Sequence, residues 1–278
     1  GEGQDLGQET GALAARGPPS DTSAMETRLP SVLVPYGGPC SEPGFQDIFV
    51  CLRPETNGVL VESILLRAMR SDPTYRDRVS LAYLANLPGD FMARNRVVEE
   101  HYAIKRYFAE RGGAAFTPWM RRAFTERFGL EPPEGRVVGA FQAMRLLGLD
   151  AEGLIHLWVP DEYFCVIHGQ SIKRYCELFI VNYDIPSLLG KNGPGTDVAA
   201  MVFRTDLGYD GFERLVRGME EALVEEGVIR EDVPPSYVFH YSKGPLEQIL
   251  DATGYLYDSD ASHLPLEDIS FAAYLEAR

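Results

Sequence analysis

The sequence predicts an α+β fold: two β-α-β units on a mixed or antiparallel sheet, separated by a helical insert. Three observations carry that expectation. The continuous apolar run Ile48-Phe49-Val50-Cys51-Leu52 is followed by a helical stripe and a second run from Val79 to Leu84. Val198 to Phe203, a stripe from Phe212 to Leu223, and Ser236 to Tyr241 repeat that order. Between the two sets, Asp90 to Leu147 carries helix starts and stops.

Residues 1–44 are rich in Gly, Pro, Ala, Ser and acids, with no periodicity beyond Val32-Leu33-Val34, and read as a flexible N-terminal tail. An α+β domain with the helical insert is expected over 45–190. The second β-α-β unit is expected over 191–278, packed into the same domain or beside it. In the first unit Val61, Ile64, Leu65, Ala68 and Met69 share a helical face. Asp72-Pro73 ends that helix, because the residue before a proline is pushed out of the α region. Pro88-Gly89 closes the second strand. Asp90 caps one helix running from about Met92 to Arg111, stopped by Gly112-Gly113. Pro118 opens another that ends before Gly129. Arg136 to Leu147 reads as a helix, with Val137-Val138 leaving a strand open. Tyr163 to Ile167 and Leu178 to Tyr183 are β-rich, which predicts two antiparallel strands with an irregular connection around His168-Gly169-Gln170. In the second unit Asp210 and Glu213 make a capping box, and Gly227 stops the helix. Two such units imply two ferredoxin-like halves or one mixed sheet. The echo of Arg53-Pro54-Glu55 in Arg204-Thr205-Asp206 leaves an internal duplication open.

Composition narrows the class. A chain of 278 residues, 45% hydrophobic and 24% charged, suffices for one large or two ordinary domains. No apolar run approaches the ~20 residues that cross a bilayer, so no membrane partner is expected. No basic stretch followed by an apolar core opens the sequence. Four cysteines, Cys40, Cys51, Cys165 and Cys176, form no CxxC pair and fit a reduced, cytoplasmic setting. A net charge of −15 disfavours nucleic acid as a partner. The charge is uneven: residues 91–147 hold ten basic and six acidic side chains, residues 197–278 six and seventeen. Two solvated surfaces account for this most simply; a basic face for an anion is the functional alternative.

The segment Phe164-Cys165-Val166-Ile167-His168-Gly169-Gln170-Ser171 offers the first chemical candidate. Imidazole attacks phosphorus and carries protons near neutral pH, and a strand end before glycine can aim it into a cleft. The structural alternative is a hairpin turn in which Gly169 supplies a positive φ.

Three earlier segments stand in order before it. Arg53-Pro54-Glu55 leaves a strand, Glu100-His101-Tyr102 lies in the insert, and Arg145 precedes Leu146-Leu147-Gly148. With Gly153-Leu154-Ile155-His156, this set resembles the nucleoside diphosphate kinase family between about residues 48 and 180. There the corresponding motifs are Lys-Pro-Asp, Glu-His-Tyr, an arginine before Leu-Leu-Gly, Gly-x-Ile-Arg, and Asn-x-Ile-His-Gly-Ser-Asp. The resemblance implies a ferredoxin-like fold and a nucleotide partner, with His168 as the phosphorylated nucleophile. It also implies that Arg53, Tyr102, Arg145 and His156 surround the phosphates. A nucleoside triphosphate with Mg would be the cofactor pair, the ion keeping most of its waters. The departures are specific. Arginine replaces lysine, His156 replaces arginine, Cys165 replaces asparagine, and Gln170-Ser171 replaces Ser-Asp. They favour the alternative of a non-enzymatic interaction or regulatory protein on the same scaffold.

Other candidates are weaker. Tyr241-Ser242-Lys243-Gly244-Pro245 joins a strand to a helix and suggests an anion site or a plain connection. Cys165 and His168, three apart on a strand, should face opposite ways, and with Cys176 they lack a fourth ligand, so no metal site is expected. Asp258, Asp260, Glu267 and Asp268 lack calcium-loop spacing. The 11% aromatic content supports a substantial core and is compatible with a homo-oligomer.

Overall fold

The computed structural model describes residues 28–40, 42–54, 56–230 and 238–269. The chain runs through β1 (Ser31–Val34), β2 (Gln46–Leu52), α1 (Val59–Ser71), α2 (Pro73–Arg76) and β3 (Val79–Pro88). The insert follows: α3 (Gly89–Arg94), α4 (Val97–His101), α5 (Ala103–Arg111), α6 (Pro118–Phe128), β4 (Val137–Gly139), α7 (Ala140–Leu147) and α8 (Ala151–Ile155). It continues with β5 (Phe164–Ile167), β6 (Gln170–Tyr175), β7 (Leu178–Val181) and α9 (Ile185–Leu189). The last elements are β8 (Asp197–Thr205), α10 (Gly208–Glu225), β9 (Phe239–Tyr241) and α11 (Pro245–Ala252).

The fold is α+β. The two β-α-β units are interleaved in one sheet of order β1-β3-β8-β2-β9, in which every neighbouring pair is antiparallel. Neither unit closes on itself: β8 lies between β2 and β3, and β2 lies between β8 and β9. Residues 1–27 of the expected tail lie outside the described residues, but Ser31–Val34 forms an edge strand on β3. A second sheet, β4-β7-β6-β5, belongs to the insert and has its own small aromatic core around Phe116, Phe124 and Phe179.

Sheet parity explains the unbroken apolar run of β2. Ile48, Val50 and Leu52 point to the layer of α1 and α10, against Ile64, Leu65, Leu215 and Met219. Phe49 and Cys51 point the other way, into a core shared with the insert and the C-terminal segment. A strand covered on both faces has no solvent side on which to place polar residues. β9 obeys the same rule. Phe239 sits opposite Leu52 and faces the helices, so His240, opposite Cys51, faces the insert.

Several local expectations change. The long helix from Met92 to Arg111 is broken into α3, α4 and α5, because Arg96 adopts a left-handed backbone (φ 53°) and Tyr102 leaves helical geometry. Arg136 to Leu147 begins as a strand: Val137-Val138-Gly139 pairs parallel with β7 before α7 starts. The region around His168 is a three-stranded meander with a tight two-residue turn, His168-Gly169, between Ile167 and Gln170. Asp210 and Glu213 make no capping box: α10 starts two residues before Asp210, and its cap Leu207 makes no side-chain hydrogen bond. The Thr205 hydroxyl instead accepts from the Leu207 N–H.

Candidate functional site

A buried polar cluster lies where the end of β2 runs beside the start of β9. β2 carries Cys51, and the chain leaves it through Arg53, whose backbone N–H donates to the Val238 carbonyl at 3.0 Å. Inside the insert, α4 ends on His101, and the break between α4 and α5 places Tyr102 against Arg53. Both terminal nitrogens of the guanidinium lie 3.4 Å from the Tyr102 phenol oxygen. β9 supplies His240, and the last turn of α11 supplies Asp251.

Asp251 serves two imidazoles. His240 Nε2 lies 2.7 Å from one carboxylate oxygen, and His101 Nε2 lies 3.4 Å from the other. The side chains are 18%, 7% and 4% exposed for His240, His101 and Asp251, so solvent reaches only the first to any extent. The His101 ring stands edge-on to three neighbours, at centroid distances of 4.5 Å from Tyr102 and 5.5 Å from both His240 and Tyr255. Its Nδ1 is buried without a hydrogen-bond partner among the described residues.

Burial sets the protonation pattern. It pulls the His101 pKa down to about 4 against the opposing pull of Asp251, which keeps this ring neutral near pH 7. It pushes the Cys51 thiol up to about 12, so Cys51 is an inert S–H and not a nucleophile. It also holds Tyr255 well above the ordinary phenol range. The Arg53 and Lys105 side chains are cations near His101, and Asp251 is the carboxylate of the cluster. A cavity of about 20 Å³ borders it, roofed in part by Lys191 and Asn192 of the glycine-rich loop 190–196. That volume admits about one water.

Of the residues singled out in the sequence, the structure brings Arg53 and Tyr102 together and leaves the others elsewhere. His168 is exposed at the β5–β6 turn of the second sheet, with φ 48°, followed by Gly169 at φ 78°. This is the hairpin geometry with two left-handed central residues. No hydrogen bond, ion pair or ring contact joins it to Arg53 or Tyr102; its carbonyl accepts from the Gln170 side chain. Arg145 is exposed on the last turn of α7. His156 is exposed after α8, 3.6 Å from Glu152. The Lys243 loop is a plain strand–turn–helix connection: the Lys243 N–H donates to Glu247, and Ser242 completes the ladder to Phe49. Cys165 and Cys176 join no metal-binding cluster among the described residues.

His240 and Asp251 were missed by sequence reasoning. The available signal was His240-Tyr241-Ser242 at the end of an apolar strand before a helix, which keeps the His-x-Ser spacing that His168-Gly169-Gln170 lacks. Comparison with protein-family models, with curated proteins and with solved structures finds no match.

Proposed function

We propose that the chain binds a nucleotide at the β2–β9 end and transfers a phosphoryl group through His240. One observation carries this reading: His240 and Asp251 form a 2.7 Å pair on the sheet face shared with Arg53 and Tyr102. The interleaved order of β2, β3, β8 and β9 is compatible with the split β-α-β arrangement expected of a ferredoxin-like fold. The likeness to nucleoside diphosphate kinases covers about residues 48–180 and has His168 as its histidine; His240 lies outside that span, and its role rests on the contact with Asp251.

The chemistry follows from the contacts. Asp251 holds a proton on Nε2, which leaves the lone pair on Nδ1, a nitrogen without a hydrogen bond among the described residues. Nδ1 attacks the terminal phosphorus of a nucleoside triphosphate. The N–P bond forms as the P–O bond to the departing diphosphate breaks, and Asp251 offsets the charge left on the ring. A second nucleoside diphosphate then takes the phosphoryl group and regenerates the imidazole. Arg53 faces the transferring oxygens, held in place by Tyr102. The cluster offers one carboxylate, so Mg²⁺ would arrive on the phosphates, where it offsets their charge. The cavity beside Arg53 is too small for a phosphate chain and is not lined by His240, so binding requires the surroundings of the cluster to rearrange.

The burial of His101 and Asp251 also favours a second reading, in which the cluster is a buried polar network of a non-enzymatic interaction protein. Incubation with labelled ATP and magnesium separates the two. Phosphoryl transfer predicts acid-labile, base-stable label on the protein and a higher melting temperature with the nucleotide. The structural network predicts neither.

A further inference from the structure

We infer that His101, His240 and Asp251 form a binding site for a first-row transition-metal dication of the zinc class. The three donors come from three separate elements, α4, β9 and α11, and their ligand atoms all lie within 4.8 Å of one another. Two atoms bound about 2.1 Å from a tetrahedral ion stand ~3.4 Å apart. The His101–Asp251 edge already has that length, at 3.4 Å, and is long for a hydrogen bond. His240 Nε2 lies 2.7 Å from the other oxygen of that carboxylate, so this contact opens and the carboxylate turns when one oxygen serves both edges.

A second observation points the same way. Among the described residues, hydrogen bonding leaves His101 poorly accounted for: Nε2 has only the long contact to Asp251, and the buried Nδ1 has none. A ring packed between Tyr102, Tyr255 and His240 would be served as well by phenylalanine if it were only core. Metal ligation at Nε2 gives the imidazole a task.

The donor set selects the ion. Two imidazoles and one carboxylate suit zinc, cobalt, nickel or iron(II) and disfavour Mg²⁺ and Ca²⁺, which take oxygen ligands. Three protein ligands leave the fourth position open, the pattern of a reactive or regulatory ion and not of a structural one. Arg53 and Lys105 are cations near His101, so an anion or hydroxide in that fourth position is favoured. The site stands on this geometry alone. If His240 also carries phosphate, the ion takes Nε2 from Asp251, and metal occupancy inhibits transfer.

The test uses the full chain, stripped with a chelator and titrated with Co²⁺ without nucleotide. One equivalent should give the intense visible absorption of four-coordinate cobalt(II), displaced by Zn²⁺. His101→Phe keeps the ring packing and should weaken binding by at least ~100-fold, as should Asp251→Asn, while His156→Ala and His168→Ala should not change it. Circular dichroism establishes that each variant is folded. Absence of four-coordinate cobalt absorption in the wild type, or binding that survives His101→Phe, would overturn the site. Either result leaves the ATP-labelling experiment unaffected, so the two readings fail separately.

Discussion

The imidazole of His240 lies 2.7 Å from the carboxylate of Asp251, on the helix that follows its strand. The same carboxylate meets His101 from the other side. Asp251→Asn removes the charge that orients both rings. Labelling from ATP should fall by ~10²-fold or more, the size of a lost general acid–base partner. Asp251→Ala should also lower unfolding stability by about 1–3 kcal/mol in urea, because it leaves buried imidazoles without a partner.

Arg53 and Tyr102 separate structure from function. Taking one partner from a buried charged contact is costly, whereas a conservative exchange keeps the charge and changes the hydrogen-bond fork. Arg53→Lys should therefore stay within about 2 kcal/mol of wild type and still reduce the nucleotide-induced rise in melting temperature. Tyr102→Phe, which removes the phenol oxygen facing both guanidinium nitrogens, should retain a reduced rise.

His168 occupies the first central position of a tight hairpin and should be dispensable for chemistry. His168→Asn creates the Asn-Gly pair such turns prefer, and should raise stability by about 0.5 kcal/mol with labelling unchanged. Gly169→Ala, at φ 78°, should cost about 1 kcal/mol. Thermal melts of the two variants check both signs.

Much of the sheet was legible because burial on both faces writes itself as an unbroken apolar run, as in Ile48 to Leu52 and Val198 to Phe203. Helix breaks were not legible. Nothing in the residue types around Arg96 or Tyr102 announces a left-handed or non-helical backbone, which tertiary packing imposes. The candidate site was half legible. Arg53 and Tyr102 were found by the order of motifs along the chain, but order cannot say which strand end lies beside which. That depends on the interleaving of β2 between β8 and β9, which brings His240 to Arg53 and leaves His168 in another sheet.

Gly89 is required by a close approach. A Cβ there would stand 2.6 Å from the Gly193 carbonyl and 2.8 Å from that of Thr196, backbone atoms of the loop that roofs the site. Gly89→Ala should destabilise the fold by about 1–3 kcal/mol, as overpacking does, measured by thermal melt.

Lys173 gives the fold a pH signature. Its ammonium donates to the Ile155 and Leu157 carbonyls at 3.0 and 2.9 Å and sits 3.7 Å from the Tyr183 ring. Burial pulls its pKa down to about 8, partly opposed by Asp184, against an ordinary value of 10.5. Below about pH 8 both folded and unfolded chains hold the proton, and the fold carries the full penalty. Above that, the unfolded chain binds more protons than the folded one, so stability rises with pH. Between about pH 8 and 9.5 the wild type should gain roughly 1–2 kcal/mol relative to Lys173→Met in urea unfolding.

The most direct test locates the phosphate. The chain is labelled with ATP and magnesium, digested at alkaline pH, and its peptides are mapped by mass spectrometry. The account predicts phosphohistidine on the peptide containing His240, lost in His240→Asn and retained in His168→Asn. A wild-type chain without label, or label mapped to His168, would contradict it.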